Sequence, residues 1–258
     1  MKIFNFYRKN TGNIGDQYST PLKYFEFPNF DIYQYDLHSE VTEEVLQEIK
    51  GSVVIFGGGG LVANDYFEKN IKKIINSAPK KVIWWGVGHN SHTEENINEY
   101  PIYLGDEDLI GLRDFGVKFE WVPCSSCMHP LFNNEYIPTR KVVVYQHKHH
   151  PLNLDNFEVM DNYTEIDKVI PFLGSAEIVI TNSYHGAYWT SLLGKKVLLV
   201  NPFSSKFHYF KNEIKISHKF EYGNDLINLP LPDTNLLEIC IAKNIEFKEK
   251  IDRLIKGF

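Results

Sequence analysis

The sequence has no excess of positive charge. Its 27 lysines and arginines are outnumbered by 33 aspartates and glutamates, and the formal net charge at pH 7 is −6. Nucleic-acid binding depends on a basic face that neutralises phosphates, and the composition as a whole does not supply one. We therefore expect no nucleic-acid partner, although a local basic pocket is compatible with this charge balance.

Cysteines, long apolar runs, fixed-period repeats and low-complexity segments are scarce or absent as well. Three cysteines are too few, and odd in number, for a disulfide framework. The N-terminal MKIFNFYRKN lacks the continuous apolar run of a signal peptide, and no apolar stretch approaches the roughly 18 residues that span a bilayer. These absences predict a cytoplasmic protein without a transmembrane segment, for which any membrane contact is peripheral.

The sequence does contain an alternation of short β-rich runs with helix-like segments, which is typical of doubly wound α/β sheets. With 258 residues and 43% hydrophobic content, the chain suits two modest α/β domains. Strands are predicted at 2–7, 31–37, 53–58, 81–88, 109–114 and 120–124, and in a second series at 141–147, 177–182 and 196–201. The loop-like segment 128–140 separates the two series, so the predicted domains are 1–138 and 139–258.

Helical spacing of apolar residues is clearest in three places. It predicts helices over 16–26 and 64–76, with Asp16 and Asn64 as their N-terminal caps. It also predicts a long amphipathic helix over 235–256, assigned to the C-terminal domain.

Ligands of open parallel sheets bind beyond the carboxyl ends of the strands, and in the first domain these ends are polar or rich in glycine. In NTGNIGDQ at 10–17, Asn13 and Asp16 are placed to hydrogen-bond an anion or a sugar hydroxyl, although a capped helix start explains them equally well. FGGGGLV at 56–62 lets a ligand approach the backbone at Gly58 and Gly59, but no Lys-Ser/Thr pair follows, and a tight crossover without a ligand is the alternative. The next strand ends in GVGH, with His89.

Two further segments of this domain contain residues of possible chemical use. Arg113, in GLRDFG, has a guanidinium that can clamp a carboxylate or phosphate, unless an ion pair with Asp114 merely holds the loop. Cys124, Cys127 and His129 lie close together in VPCSSCMHP, but no second ligand pair follows at recognisable spacing, so no metal is predicted.

Strand ends of the second series carry histidine, serine and lysine. They are His147 in YQHKHHP, Asn182, Ser183 and His185 in ITNSYHGAYW, and Ser205 and Lys206 in NPFSSKF. Together these residues predict an anion-binding pocket. A solvated loop for His147 and a purely capping and packing role for His185 are the alternatives.

Several of these segments together resemble the polysaccharide pyruvyl transferase family. They are GNIGD near the N-terminus, VVIFGGGGL, GVG, GLRD and, most specifically, ITNSYHGAYWTSLLGKKVLLV at 180–200. Their order spans most of the chain. The resemblance implies two Rossmann-like domains that face a cleft, as in GT-B enzymes, and transfer of a pyruvyl group from phosphoenolpyruvate to two sugar hydroxyls as a ketal.

The resemblance also implies roles for the residues at the strand ends. His185 matches a histidine that follows an arginine in many members, and that arginine falls at Ser183, so Lys206 or His147 is expected to supply its charge. His185 and Arg113 are the predicted catalytic residues. The predicted donor-binding residues are Ser183, Lys206, His147, Asn182 and Ser205, and the predicted acceptor-binding residues are Asn13, Asp16, Gly58, Gly59 and His89.

Ketal formation needs proton transfer and charge stabilisation but neither a metal nor a cofactor. An imidazole with an ordinary pKa of about 6.5 can donate a proton in one step and accept one in the next. Phosphoenolpyruvate is then a co-substrate, and the acceptor is a saccharide or lipid-linked saccharide of surface polysaccharide synthesis.

Two other functions remain open on the sequence. The same architecture serves glycosyltransferases that use a nucleotide sugar, and a glycan-binding homologue without catalysis would retain the same motifs. Fold alone does not decide among the three.

Overall fold

The computed structural model describes residues 1–93, 97, 99–105, 109–154, 156–221 and 223–256. In this part of the chain the strands form two sheets, and every strand pairing within them is parallel. Helices alternate with the strands, because apolar segments of period two and of helical spacing follow one another along the sequence. The result is a mixed α/β structure consistent with Rossmann-like domains.

The first sheet contains six strands in the order β2-β1-β3-β4-β5-β6. Their bounds are β1 Lys2–Tyr7, β2 Asp31–Asp36, β3 Val53–Val62, β4 Lys81–His89, β5 Leu109–Leu112 and β6 Glu120–Trp121. The second sheet contains five strands in the order β11-β10-β9-β7-β8. Its strands are β7 Arg140–Gln146, β8 Glu158–Asp161, β9 Ala176–Thr181, β10 Lys196–Val200 and β11 Lys215–Ser217. The predicted domain boundary lies between β6 and β7, where the chain leaves one sheet for the other.

Six α-helices connect or cover these strands in the described residues. They are α1 Ile14–Gln17, α2 Glu43–Ile49, α3 Asp65–Asn76, α4 Ile166–Gly174, α5 Tyr184–Leu192 and α6 Leu236–Ile255. The apolar faces of α2 and α3 pack on one face of the first sheet, and those of α4 and α5 pack on one face of the second. No helix in the described ranges is long and apolar enough to cross a membrane.

The predicted helix over 16–26 is wrong. Helix α1 ends at Gln17, and a separate 3-10 turn covers Pro21–Lys23. Proline disfavours helical geometry in the residue before it, and Thr20 is accordingly extended. Asp16 is not the cap, because the side chain of Asn13 accepts the hydrogen bond from Gly15 N–H. The prediction of Asn64 as the cap of α3 is confirmed, since its side chain accepts from Tyr66 N–H.

The strands also differ from the prediction in their bounds and their number. The glycine run does not end β3 but continues it to Val62, with a register shift against β4 between Gly59 and Val62. Glycine tolerates such an irregularity because it adds no side chain to the distorted pairing. Strands β8 and β11 were not predicted. They are short edge strands of four and three residues, and strand β8 exposes most of its surface, so neither has an apolar pattern.

Helix α6 contacts both sheets, although the sequence analysis assigns it to the C-terminal domain. Leu236 and Cys240, at its start, pack in the core of the second sheet. Phe247, Ile251 and Ile255, further along, pack against the first sheet on the face opposite α2 and α3. A single amphipathic helix therefore joins the cores of the two halves.

Asn244 is a buried polar residue at the middle of α6 and is fully hydrogen-bonded. Its Oδ1 accepts from Trp85 Nε1 at 2.9 Å, and its Nδ2 donates to the carbonyls of Pro123 at 3.1 Å and Cys240 at 3.0 Å. These bonds satisfy polar groups that have no access to water. The loss of such a bond costs more stability than the loss of an exposed one, because the buried group left behind has no other partner.

We expect Asn244→Ala to lower the free energy of unfolding by about 2 to 4 kcal/mol, because it leaves the Trp85 indole N–H and the Pro123 carbonyl buried without a partner. Urea unfolding measures the change. Glu249→Ala is the matched control on the same helix, since its contact with Arg253 is a long, exposed ion pair and should change stability by less than about 1 kcal/mol. Equal effects of the two substitutions would contradict this account.

Candidate functional site

Residues at or after the carboxyl ends of strands from both sheets line one cavity of about 210 Å³. We call it the central cavity. The first sheet and its loops contribute Arg8, Asn13, Asp16, Gly60, Asn64, Phe67, Asn90, His92 and Arg113, and the second contributes His147, His150, Ser183, Tyr184, His185, Phe203 and Lys206. The position agrees with the general rule for parallel sheets, whose strand ends and helix starts present polar groups on one edge.

Seven of the residues predicted from the sequence line this cavity: His185, Arg113, Ser183, Lys206, His147, Asn13 and Asp16. The other five, Asn182, Ser205, Gly58, Gly59 and His89, are not among its lining residues. The structure shows what each of these five contacts instead.

Asn182 holds the histidine-rich loop after β7. Its Oδ1 accepts from His147 N–H at 2.8 Å, and its Nδ2 donates to the His150 carbonyl at 2.6 Å. The residue therefore orients two cavity histidines through their backbone rather than through a ligand.

Gly58 and Gly59 let β3 pass close to the segment after α1. Both have positive φ, of 75° and 81°, a region that side chains disfavour. A Cβ on Gly58 would lie 2.0 Å from the carbonyl oxygen of Ser19. This close approach brings the α1 turn, with Asp16, against the first sheet.

His89 and Ser205 contact each other across the two sheets. His89 Nδ1 lies 2.7 Å from Ser205 Oγ, and both residues are buried. Ser205 Oγ also accepts from Ser91 N–H at 3.0 Å. The pair joins the loop after β4 to the 3-10 turn Ser205–Phe207 that carries Lys206.

His185 lies in the first turn of α5, between the two halves of the molecule. It is 4% exposed, and its Nε2 is 3.5 Å from the sulfur of Cys124. Its Nδ1 lies so close to the α1 turn that a Cβ on Gly15 would be 2.1 Å away. Glycine at position 15 thus makes room for the imidazole.

Burial is the main reason why the pKa of His185 falls well below its ordinary value, and the charges of Arg113 and Lys206 lower this pKa further. The imidazole is therefore neutral at pH 7 in the structure without a ligand. An anion bound beside it would have the opposite effect and raise the pKa, because it favours the charged form.

Arg113 is a buried cation, and two of its nitrogens are not hydrogen-bonded within the described residues. Only 3% of the residue is exposed, and its guanidinium stacks on the ring of Tyr184 at 3.7 Å. Its Nε and Nη1 have no hydrogen-bond partner among the described residues. Gly88 leaves space for this side chain, since a Cβ there would lie 2.4 Å from the Nε.

The sequence left open an ion pair between Arg113 and its neighbour Asp114. No such pair is present among the described residues. Asp114 instead accepts from His89 N–H at 2.7 Å. Burial raises the pKa of Asp114 to about 6, an effect that Arg113 and the His89 hydrogen bond reduce. Buried arginines are normally paired, so Arg113, which lines the cavity and has two nitrogens without a partner, has unused hydrogen-bonding capacity.

Lys206 and Asp16 complete the charge arrangement. Burial lowers the pKa of Lys206 to about 8, with a further lowering by Arg113 and an opposite effect of Asp16. Burial likewise raises the pKa of Asp16, against the effects of Lys206, Arg113 and Arg8. Lys206, Arg113 and Arg8 thus all act on the Asp16 carboxyl group, while Arg8 is also paired with Asp36.

Histidines and an aromatic ring form the wall of the cavity on the second sheet's side. The Phe203 ring stacks on His150 at 4.4 Å and contacts His147 at 5.6 Å. Burial, followed by the charge of Lys206, lowers the pKa of His147 to about 4. His147 is thus neutral at pH 7 and acts as a hydrogen-bonding group, so the cationic charge beside Ser183 comes from Lys206 and Arg113.

Several residues that line the cavity were not predicted as site residues from the sequence. Arg8 follows β1, Asn90 and His92 follow β4, and Phe203 follows β10, so the strand-end rule that found the others applied to them too. Arg8 is held by Asp36, whose Oδ1 and Oδ2 lie 2.9 and 3.0 Å from its Nη1. The pairing of β1 with β2 brings these residues together, and no sequence spacing reveals it.

The cysteines form no metal site in the described part of the chain, where no cluster of three or more potential ligands occurs. Cys124, Cys127 and Cys240 are free and buried. Burial raises the pKa of the Cys124 and Cys127 thiols, so both remain protonated at pH 7.

Comparisons with known proteins add little. No protein-family model matches the chain, and no curated protein matches its sequence. Among solved structures, an uncharacterized protein from Klebsiella pneumoniae is similar with 20% sequence identity and a TM-score of 0.47, over 78% of this chain and 83% of that one. A similarity at this level supports no conclusion on fold or function.

The pKa of Lys206 predicts how anion binding depends on pH. Below about pH 8 the ammonium group is charged and attracts an anion, and as the pH rises through this value the charge is lost. We therefore expect the affinity for sulfate, whose charge is constant over this range, to fall by up to about tenfold per pH unit above about pH 8. Isothermal titration calorimetry measures it.

Lys206→Arg provides the control, because a guanidinium keeps its charge throughout this range. The fall in sulfate affinity above about pH 8 should disappear in this variant. A wild-type affinity that stays constant through this interval would contradict the assignment of Lys206 to the anion site.

Proposed function

We propose that the protein is a polysaccharide pyruvyl transferase, which moves the pyruvyl group of phosphoenolpyruvate onto two hydroxyls of a saccharide as a ketal. The two parallel sheets then correspond to the two facing domains of a GT-B arrangement, with the reaction in the central cavity. The acceptor is a saccharide or lipid-linked saccharide used in surface polysaccharide synthesis.

The unpartnered guanidinium of Arg113 is the observation that supports this proposal most. Arg113 lines the cavity together with Lys206 and His185, and its Nε and Nη1 are buried without a hydrogen-bond partner among the described residues. A planar fork of donors matches a carboxylate or phosphate, and phosphoenolpyruvate has one of each. Two cations from different sheets can thus hold the two anionic groups of one small donor.

The cavity volume favours a small donor over a nucleotide sugar. Pockets for drug-sized ligands occupy about 300 to 1,000 Å³, whereas the central cavity has about 210 Å³. Phosphoenolpyruvate occupies less of this space than a nucleotide sugar with its base, ribose, phosphates and sugar.

His185 has the position of the acid and base. Once the donor's charge has raised its pKa, the imidazolium gives a proton to the methylene carbon of phosphoenolpyruvate. A sugar hydroxyl attacks the adjacent carbon and loses its proton to the same imidazole. The imidazolium then gives this proton to the departing phosphate oxygen, whose developing charge Arg113 and Lys206 stabilise, and the C–O bond to phosphate breaks. The second hydroxyl forms the new C–O bond at the same carbon and loses its proton to the imidazole, which restores the imidazolium.

Ser183 does not replace the arginine that many family members have at this place. Its Oγ accepts from Gly186 N–H at 3.3 Å and caps α5. The positive charge comes instead from Lys206, on the next strand end, and from Arg113, on the other sheet. On the first-sheet side Asn13 and Asp16 are the groups available to hydrogen-bond acceptor hydroxyls.

Ligand-induced stabilisation distinguishes the proposed donor from a nucleotide sugar. We expect phosphoenolpyruvate to raise the melting temperature, with a stabilisation of about 2.7 kcal/mol at 100 times its Kd, and UDP-glucose and GDP-mannose to leave it unchanged. Phosphate release from phosphoenolpyruvate in the presence of a panel of nitrophenyl glycosides then measures turnover, and His185→Ala should abolish it without loss of folding.

Stabilisation by a nucleotide sugar alone would replace this proposal with a glycosyltransferase. Stabilisation by phosphoenolpyruvate without phosphate release from any glycoside would contradict the transferase activity and favour a binding protein. Undiminished turnover by His185→Ala would remove His185 from the mechanism.

We expect Arg113→Lys to raise the KM for phosphoenolpyruvate by about 10- to 100-fold, because a point charge cannot replace two hydrogen bonds to an anion. Initial rates at varied donor concentration measure it. Arg140→Lys is the control, since this arginine pairs with Glu158 at the surface. A donor KM that Arg113→Lys leaves unchanged would exclude the proposed contact.

A further inference from the structure

The two cations of the central cavity belong to different sheets, so something must hold them at a constant separation. Lys206 lies in the turn after β10, and Arg113 lies directly after β5. More than one hydrogen bond joins these two regions, and one of them runs from Phe115 N–H to the Tyr209 carbonyl at 2.9 Å. The contacts made by Ser205, which directly precedes Lys206, involve His89 and Ser91, and we call Ser205, His89 and Ser91 the cross-sheet clamp. Ser205 and His89 do not line the cavity.

The clamp consists of closely spaced hydrogen bonds between the halves. Ser205 Oγ lies 2.7 Å from His89 Nδ1 and accepts from Ser91 N–H at 3.0 Å. The backbone N–H of Ser205 donates to the Ser91 carbonyl, also at 3.0 Å. Ser205 is completely buried and His89 is 1% exposed, so water does not compete for these bonds.

The same clamp continues to Arg113. The backbone N–H of His89 donates to Asp114 Oδ2 at 2.7 Å, and the backbone N–H of Arg113 donates to the Val87 carbonyl at 2.9 Å. One connected set of hydrogen bonds therefore determines the backbone position next to each cation.

We propose that Ser205 and His89 are positioning residues, which set the distance between Lys206 and Arg113 and thereby the affinity of the central cavity for an anion. Where that anion is phosphoenolpyruvate, the inference rests on the proposed function. The clamp itself requires only that the cavity binds an anion.

The charges around Lys206 make its position measurable. Arg113 and Asp16 act on its pKa, and Lys206 in turn lowers the pKa of His92, His147 and His185. If the turn that carries Lys206 moves away from Arg113 and towards water, burial and the charge of Arg113 both lower the pKa of Lys206 by less. The pH above which anion affinity falls should then move from about 8 towards the ordinary lysine value of 10.5.

Ser204 and Ser205 provide a matched pair of variants. Both serines are buried, but Ser204 Oγ has no hydrogen-bond partner among the described residues, whereas Ser205 Oγ bonds to the other sheet. Removing the first hydroxyl should change little, whereas removing the second eliminates both side-chain bonds of the clamp and leaves only the backbone bond from Ser205 N–H to the Ser91 carbonyl.

The experiment measures sulfate affinity by calorimetry from about pH 7 to about pH 10, the span of the lysine titration. For Ser205→Ala we expect an affinity about 3- to 10-fold weaker at neutral pH and an upward shift of the pH at which it falls, while Ser204→Ala matches the wild type. A loss of stability alone would not move this pH, so the readout separates positioning from a structural role.

His89 supplies a second test should Ser205→Ala fail to fold. An asparagine amide can occupy the place of the Nδ1 side of the imidazole, so His89→Asn should retain the wild-type affinity for sulfate. His89→Ala should weaken this affinity, as Ser205→Ala does. Wild-type affinity and pH dependence in folded Ser205→Ala or His89→Ala would overturn the inference.

Phosphoenolpyruvate, titrated in parallel, distinguishes failure of the clamp from failure of the proposed function. If sulfate responds to the clamp variants as expected but phosphoenolpyruvate does not bind, the clamp stands and the proposed donor is wrong. If phosphoenolpyruvate binds and is turned over equally well by Ser205→Ala and the wild type, the proposed function stands and the clamp does not position the cations.

Discussion

Arg113 and Lys206 come from different sheets and line the same partly buried cavity. Removing a charge from water has a large cost, and two like charges repel most strongly where the dielectric constant is low. Burial and the charge of Arg113 accordingly lower the pKa of Lys206 to about 8, although Asp16 acts in the opposite direction. The proposed anion site rests on this electrostatic coupling.

The surrounding fold serves to maintain this arrangement. Gly88 and Gly15 leave the space that Arg113 and His185 occupy, and Tyr184 supports the guanidinium through its ring. Helix α6 joins the apolar cores of the two halves, so that strand ends of both sheets meet at one cavity. His185, at the start of α5, lies against Gly15 of the α1 turn and lines the same cavity as Arg113 and Lys206.

Much of the fold could be predicted because its signals are local. The central strands are buried on both faces, and their continuous apolar runs mark them in the sequence. The amphipathic stripe of α6 likewise predicts its bounds to within one residue. Prediction of strands and helices failed where their formation does not depend on a run of apolar residues. Two of the four residues of the edge strand β8 are exposed, and Pro21 divides the segment that was predicted as one helix.

Local pattern was enough to predict the chemical groups at the strand ends, because residue type and strand order can be read along the chain. It identified His185, Arg113 and Lys206 among the residues that line the cavity. How these groups interact depends on packing between the two sheets. Ser205 and His89, both predicted to bind ligand, bond to each other, and His147 is neutral because burial beside Lys206 disfavours its charge. Distances between strand ends and the exclusion of water arise from the packing of two sheets, and no spacing along the chain encodes them.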